Sequence, residues 1–151
     1  PEMSRGLGDV YKRQVFSYLM EQVQGKNVSL LCTSGQPRYA ALKLISLIVQ
    51  SGIPIYYSGG LDPDGIGIAD RLWQRFGNRI QFFGMSPEDY RNSLSKEVFG
   101  ENGRKKLEHI WHPLLRETAE LVRKTGKAGY QENTLKELSE KLVGCDQNQN
   151  L

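Results

Sequence analysis

Apolar and polar positions fall into blocks with clear periods from Val15 onward. Val15, Phe16, Leu19, Met20 and Val23 form an i, i+4, i+8 stripe, which predicts a short amphipathic helix stopped by Gly25. Asn27 to Thr33, with Val28, Leu30, Leu31 and Cys32, reads as a short buried strand. Ser34-Gly35-Gln36-Pro37 then opens a helix, with Pro37 suited to the first turn. From Arg38 to Gln50 only Arg38, Lys43, Ser46 and Gln50 are polar, so this helix is expected to be covered on most sides. Ile53 to Ser58 has the residues of a strand and ends in Gly59-Gly60. Over Asp64 to Phe76, Gly65, Ala69, Leu72, Trp73 and Phe76 share one helical face, opposite Asp70, Arg71, Gln74 and Arg75. Gly77-Asn78 breaks that helix, and Arg79 to Gly84 reads as a further strand.

The alternation of helix and strand predicts an α/β fold, with a parallel sheet, right-handed crossovers and helices on both faces. Ligands in such sheets sit at the carboxyl ends of the strands. Two polar loops, Thr33 to Pro37 and Ser58 to Gly65, are expected there. Beyond Gly84 helices take over. Ser86-Pro87-Glu88-Asp89 is a helix start, and helices are expected over Pro87 to Leu94, Glu101 to Ile110, Pro113 to Lys124 and about Ala128 to Val143. Residues 15–84 thus form the expected core, 85–143 a helical C-terminal extension, and 144–151 a fraying tail. Pro1 to Gln14 has neither period and resembles translated sequencing-adapter ends, so it reads as a non-native leader on a chain whose own N-terminal side is missing.

The length of 151 residues suits one domain, and 38% apolar with 25% charged residues excludes a disordered or collagen-like chain. The longest apolar stretch, Ala40 to Val49, is interrupted by Lys43 and Ser46 and falls far short of the roughly 20 residues that span a bilayer. A net charge of +3 leaves the partner open. Cys32 and Cys145 suggest neither a disulfide framework nor a zinc site, so a reducing cytoplasm is the expected compartment, and Cys32 reads as a core residue.

The strongest chemical signal is Gly60-Leu61-Asp62-Pro63-Asp64-Gly65, which follows a strand and opens a helix. Two carboxylates at a strand end can converge on Mg²⁺ or Mn²⁺, hard ions that leave positions for water and substrate phosphate. The same residues also make ordinary turn chemistry, with Asp62 in a turn and Asp64 as a helix cap. Thr33, Ser34, Gly35 and Gln36 precede a helix N-terminus, where backbone N–H groups favour anions such as a phosphate, or simply form a capped start. His109 and His112 lack the company of a metal site. The runs Arg104-Lys105-Lys106 and Arg123-Lys124-x-x-Lys127 are interleaved with Glu and read as solvated faces, with phosphate contact as the alternative.

The string YYSGGLDPDGIGIA resembles the acidic motif of Toprim domains, especially the form in the topoisomerase VI group. LLCTSGQP at Leu30 to Pro37 and KAGYQE at Lys127 to Glu132 resemble the C-terminal domain of the Wadjet anti-plasmid nuclease subunit. That resemblance implies a Toprim-like, Rossmann-like sheet that binds Mg²⁺ and cleaves DNA phosphodiesters, with Asp62 and Asp64 as catalytic metal ligands. It also implies an SMC-like protein partner that delivers DNA, and it is compatible with a homodimer. Two departures stand out. The glutamate of that family falls near Tyr11, inside the adapter-like leader, and its first aspartate is replaced by Gly60. An impaired nuclease is therefore expected. The alternatives are a non-catalytic DNA- or protein-docking module and a haloacid-dehalogenase-like phosphatase using Asp62 and Asp64. Tyr130 reads as a packing residue, and Gly129-Tyr130-Gln131-Glu132 has no role derivable from sequence.

Overall fold

The computed structural model describes residues 14–25, 29–33 and 35–147, with backbone alone at 132, 133 and 143–147. Helix α1 covers 14–22. It is followed by α2 (Tyr39–Gln50), β1 (Ile55–Tyr57), α3 (Pro63–Phe76), β2 (Ile80–Phe82), α4 (Pro87–Ser93), β3 (Leu94–Val98), α5 (Glu101–Lys106), α6 (Pro113–Thr125), β4 (Lys127–Gly129) and α7 (Leu135–Gln147). The architecture is α/β. Strands β1 and β2 pair in parallel, with Ile55 opposite Ile80 and Tyr57 opposite Phe82. The intervening helix α3 buries Ile68 and Leu72 against Ile80 and, from α2, Ile45. Among the described residues no helix is long and apolar enough to cross a membrane.

Local chemistry explains most helix boundaries. Pro63 occupies the first turn of α3, Arg75 lies in its last turn, and Gly77 ends it at φ 62°, a left-handed conformation that costs glycine little. Helix α4 begins with a capping box, in which Asp89 N donates to Ser86 Oγ and the Asp89 carboxylate accepts from Ser86 N at 2.9 Å. Lys141 of α7 also donates to Asp89. Burial pushes the Asp89 carboxyl up, but the bonds from Lys141 and Ser86 outweigh it and hold its pKa below the ordinary 3.8. Asp89→Ala is expected to cost about 1 kcal/mol in urea unfolding at neutral pH. Because the native pKa is depressed, this contribution is present above pH 3.8 and disappears as the pH falls through the native value, so wild type and variant converge in acid.

Several expectations are corrected. The segment predicted as a strand over Asn27 to Thr33 lies in no ladder across its described part, 29–33. Leu31 is 54% exposed, and Cys32 is exposed rather than part of the core. Among the described residues β1 pairs only with β2, and this apolar run leaves the other edge of β1 unused. Helix α2 is likewise less covered than its composition suggests. Only Ile45 is buried, while Tyr39, Leu44 and Leu47 are exposed; among the described residues the sheet beneath has two short strands.

The C-terminal part is not purely helical. Strands β3 and β4 form an antiparallel pair, with Leu94 opposite Gly129 and Val98 opposite Lys127 across an irregular register. Strand β3 is almost wholly exposed, so it has no apolar alternation to betray it. Helix α7 accordingly starts at Leu135 instead of about Ala128, after β4 and a 3₁₀ turn, Gln131–Thr134. Helix α5 stops at Lys106, short of the expected Ile110. Leu138 and Leu142 of α7 do face the fold as expected, packing on Val15, Leu19 and Val23 of the N-terminal helical segment.

Candidate functional site

Strand β1 delivers the chain to the loop Ser58–Leu61, and the loop delivers Asp62 to the first turn of α3. Asp62 is the cap of that helix. Its Oδ1 accepts from the backbone N–H groups of Asp64, at 2.9 Å, and Gly65, at 2.8 Å. The capping residue is therefore Asp62, with Asp64 one step inside the helix. Each bond satisfies an amide that the helix cannot satisfy itself, and the carboxylate stands at the positive end of the helix dipole. The loop reaches this position only because Gly65 lacks a side chain. A Cβ there would lie 2.1 Å from the backbone oxygen of Gly60.

Asp64 projects into solvent and forms an ion pair with Lys106 Nζ of α5, 2.7 Å from its Oδ1. The same close packing of α5 on the start of α3 shows at Gly103, whose missing Cβ would sit 3.1 Å from the Pro63 ring. Arg104, next along α5, points elsewhere and donates to the Arg123 carbonyl at the end of α6. The basic run Arg104-Lys105-Lys106 is thus divided, with Arg104 capping a helix and Lys106 attending the acidic loop.

A third segment closes on this loop from the far end of the chain. Leu61 and Gly129 exchange both backbone hydrogen bonds at 2.9 Å. Gln131 Nε2 donates to Ser58 Oγ at 2.6 Å. Gly129 is required by the closeness of this contact, since a Cβ would fall 2.4 Å from Ser93 Oγ and 3.2 Å from Leu61 Cβ. Beside it Tyr130 N donates to the Ser93 carbonyl and Tyr130 Oη donates to Glu97. The Gly129-Tyr130-Gln131 motif is therefore the brace of the acidic loop.

A protein-family model described as "Protein of unknown function C-terminus (DUF2399)" matches residues 11–142. The chain belongs to this family. No curated protein and no solved structure gives a match. The span matched to the DUF2399 family holds the acidic loop, Lys106 and the brace together.

The second polar loop contributes less. Ser34 lies outside the described residues. Thr33 is half-buried, and Gly35 adopts φ 65°. Gln36 Oε1 accepts from Arg71 of α3 at 2.7 Å. Helix α2 starts on Arg38 with no side-chain cap, and Pro37 precedes its first turn rather than entering it. This loop meets α3 through Gln36, whereas the acidic motif, Lys106 and the brace meet each other directly.

Beneath the loop, Tyr57 places its hydroxyl 3.0 Å from where a Cβ on Gly59 would be. Burial, with the Asp62 charge adding to it and Arg71 opposing, pushes the Tyr57 pKa up to about 12. Tyr57 therefore stays a neutral donor throughout the physiological range. At the start of α6, His112 rests edge-on against Trp73 of α3 and Phe82 of β2, with centroids 5.0 Å and 4.9 Å away. Among the described residues its buried Nδ1 has no hydrogen-bond partner, and burial lowers its pKa from 6.5 against the pull of Asp70. Among the described residues no three His, Cys, Asp or Glu side chains gather around a common ion position.

Proposed function

We propose that this chain carries the acidic half of a Mg²⁺-dependent centre that cleaves DNA phosphodiesters, of the Toprim kind used by the Wadjet-like plasmid-defence nucleases, and that the centre is impaired in this chain. The observation that carries the reading is the direction of position 60. A Cβ built on Gly60 lies 3.0 Å from Asp62 Oδ2, so an aspartate there, as the resemblance implies for relatives, would root a second carboxylate beside that of Asp62. Converging carboxylates repel unless a cation lies between them.

The donor set fits magnesium. It offers hard oxygens only, and Mg²⁺ is commonly held by one or two carboxylates plus waters and substrate phosphates. The Lys106 ammonium on Asp64 is a cation already drawn to the same carboxylate. Asp62 and Asp64 would hold the ion, and the ion would supply charge neutralisation at a phosphate oxygen. The chain's own contribution is positioning. The two capping bonds fix Asp62, and the brace from Gly129 and Gln131 fixes the loop that carries it. With Gly60 in place of an aspartate, less negative charge is available to bind the ion and organise the phosphate. DNA is the proposed substrate, an SMC-like motor the proposed delivery partner, and the reducing cytoplasm the proposed compartment.

Restoring the lost carboxylate provides the test. Gly60→Asp is expected to tighten Mn²⁺ binding on the order of tenfold, read by electron paramagnetic resonance, through the added ligand charge. Asp62→Asn, which keeps a capping oxygen, is expected to weaken it. Plasmid nicking by the unaltered chain should be faint or absent. Equal Mn²⁺ affinity in all three proteins would overturn the metal-centre reading. A second reading, a docking module without catalysis, is favoured by the engagement of both Oδ1 atoms in a cap and an ion pair. Undiminished DNA binding by Asp62→Asn and Asp64→Asn, with no Mn²⁺ bound, would select it.

A further inference from the structure

We infer that Lys106 is the resident counter-ion of the acidic loop, holding Asp64 while no metal is bound and turning to a DNA phosphate once a divalent cation replaces it; this rests on the metal-centre reading above. Three observations carry it. Lys106 Nζ lies 2.7 Å from Asp64 Oδ1, on a carboxylate assigned to the metal. The position of Lys106 is set by the fold, because Gly103 lets α5 pack directly on Pro63, one residue before Asp64. Both charged groups remain well exposed, at 56% for Lys106 and 76% for Asp64, so the lysine is free to swing without unpacking anything.

The electrostatics then run in one direction. Lys106 and a divalent cation compete for Asp64, since an ammonium beside a bound dication is repelled by it. The displaced ammonium stays tethered to α5 within reach of Asp64, where it would be available to a phosphate that the ion draws in. A phosphate there gains a second cationic contact that is withheld until the metal has arrived. Lys106 is thus a positioning residue for the substrate backbone. Neighbouring Arg104 cannot take this part, as it is committed to the end of α6.

The test uses the whole chain and the variants Lys106→Gln and Lys105→Gln. Mn²⁺ is titrated alone, and a short DNA duplex is then titrated over a salt series with and without Mn²⁺. Lys106→Gln is expected to bind Mn²⁺ about two- to fivefold more tightly than the unaltered chain, the scale of one exposed ion pair removed from competition, while Lys105→Gln leaves the affinity unchanged. With Mn²⁺ present, Lys106→Gln should lower the slope of log K against log salt by about one, the signature of one lost phosphate contact. Without Mn²⁺ it should leave that slope unchanged, because the lysine is already occupied. A lysine that merely stabilises the fold would move none of these. Unaltered Mn²⁺ affinity in Lys106→Gln, or a slope change independent of Mn²⁺, overturns the inference alone. Failure of every form to bind Mn²⁺ overturns the metal-centre reading and the inference with it.

Discussion

Gly65→Ala is expected to destabilise the protein by about 3 kcal/mol or more, on the scale of a severe internal clash. The added methyl would need to occupy a point 2.1 Å from the Gly60 carbonyl oxygen, well inside contact distance. The obstacle is backbone, so no rotamer change relieves it. Either the loop from Ser58 to Asp62 withdraws from α3 or the first turn of α3 unwinds. Both outcomes cost the bonds from Asp64 N and Gly65 N to Asp62. Gly100→Ala is the control without a clash, since nothing lies within 4 Å of its missing Cβ, and as the N-cap of α5 it should cost only about 0.5–1 kcal/mol. Urea midpoints of the two variants decide the matter. A near-neutral Gly65→Ala would mean that the loop does not lie against α3 as described.

Asp70→Ala should cost about 2–4 kcal/mol, because it strips the partner from two amides at once. Asp70 is buried in α3. Its Oδ1 accepts from the backbone N–H groups of Trp111, at 3.0 Å, and His112, at 2.8 Å, and its Oδ2 accepts from Gln74. One carboxylate thereby pins the turn that leads into α6. Asp70→Asn keeps an acceptor oxygen for those amides and should lose less than half as much. Hydrogen exchange at Trp111 and His112 gives an independent reading. Both amides should lose protection in Asp70→Ala and retain most of it in Asp70→Asn.

The parts of the fold that could be read from sequence are those set by neighbours in the chain. Asp62-Pro63-Asp64 and Ser86-Pro87-x-Asp89 specify helix starts through bonds spanning two or three residues; the second starts where expected, and the first one residue earlier, with Asp62 rather than Asp64 as its cap. The strands Ile55–Tyr57 and Ile80–Phe82 also declare themselves, because their side chains fill a core between helices. What stayed hidden depends on partners far along the chain. Leu94–Val98 and Lys127–Gly129 are strands by virtue of each other's backbones, with little apolar pattern to announce either. Leu30-Leu31-Cys32 has the composition of a strand, yet among the described residues it pairs with none.

The candidate site divides along the same line. The acidic residues and the Gly-Tyr-Gln motif could each be singled out in the sequence, yet nothing in their spacing told that Gly129 would bond Leu61. Lys106 was camouflaged among basic neighbours. Only the fold separates the arginine that ends a helix from the lysine that meets Asp64.

The bond between Gln131 and Ser58 spans 73 residues, and its partner contact at Gly129 spans nearly as many. During synthesis the acidic loop therefore emerges long before its fastening does. Until the ribosome has released the stretch beyond Gly129, the loop has no anchor on that side. Assembly of this corner of the molecule becomes a late, non-local event, with the slow closure that distant pairings impose.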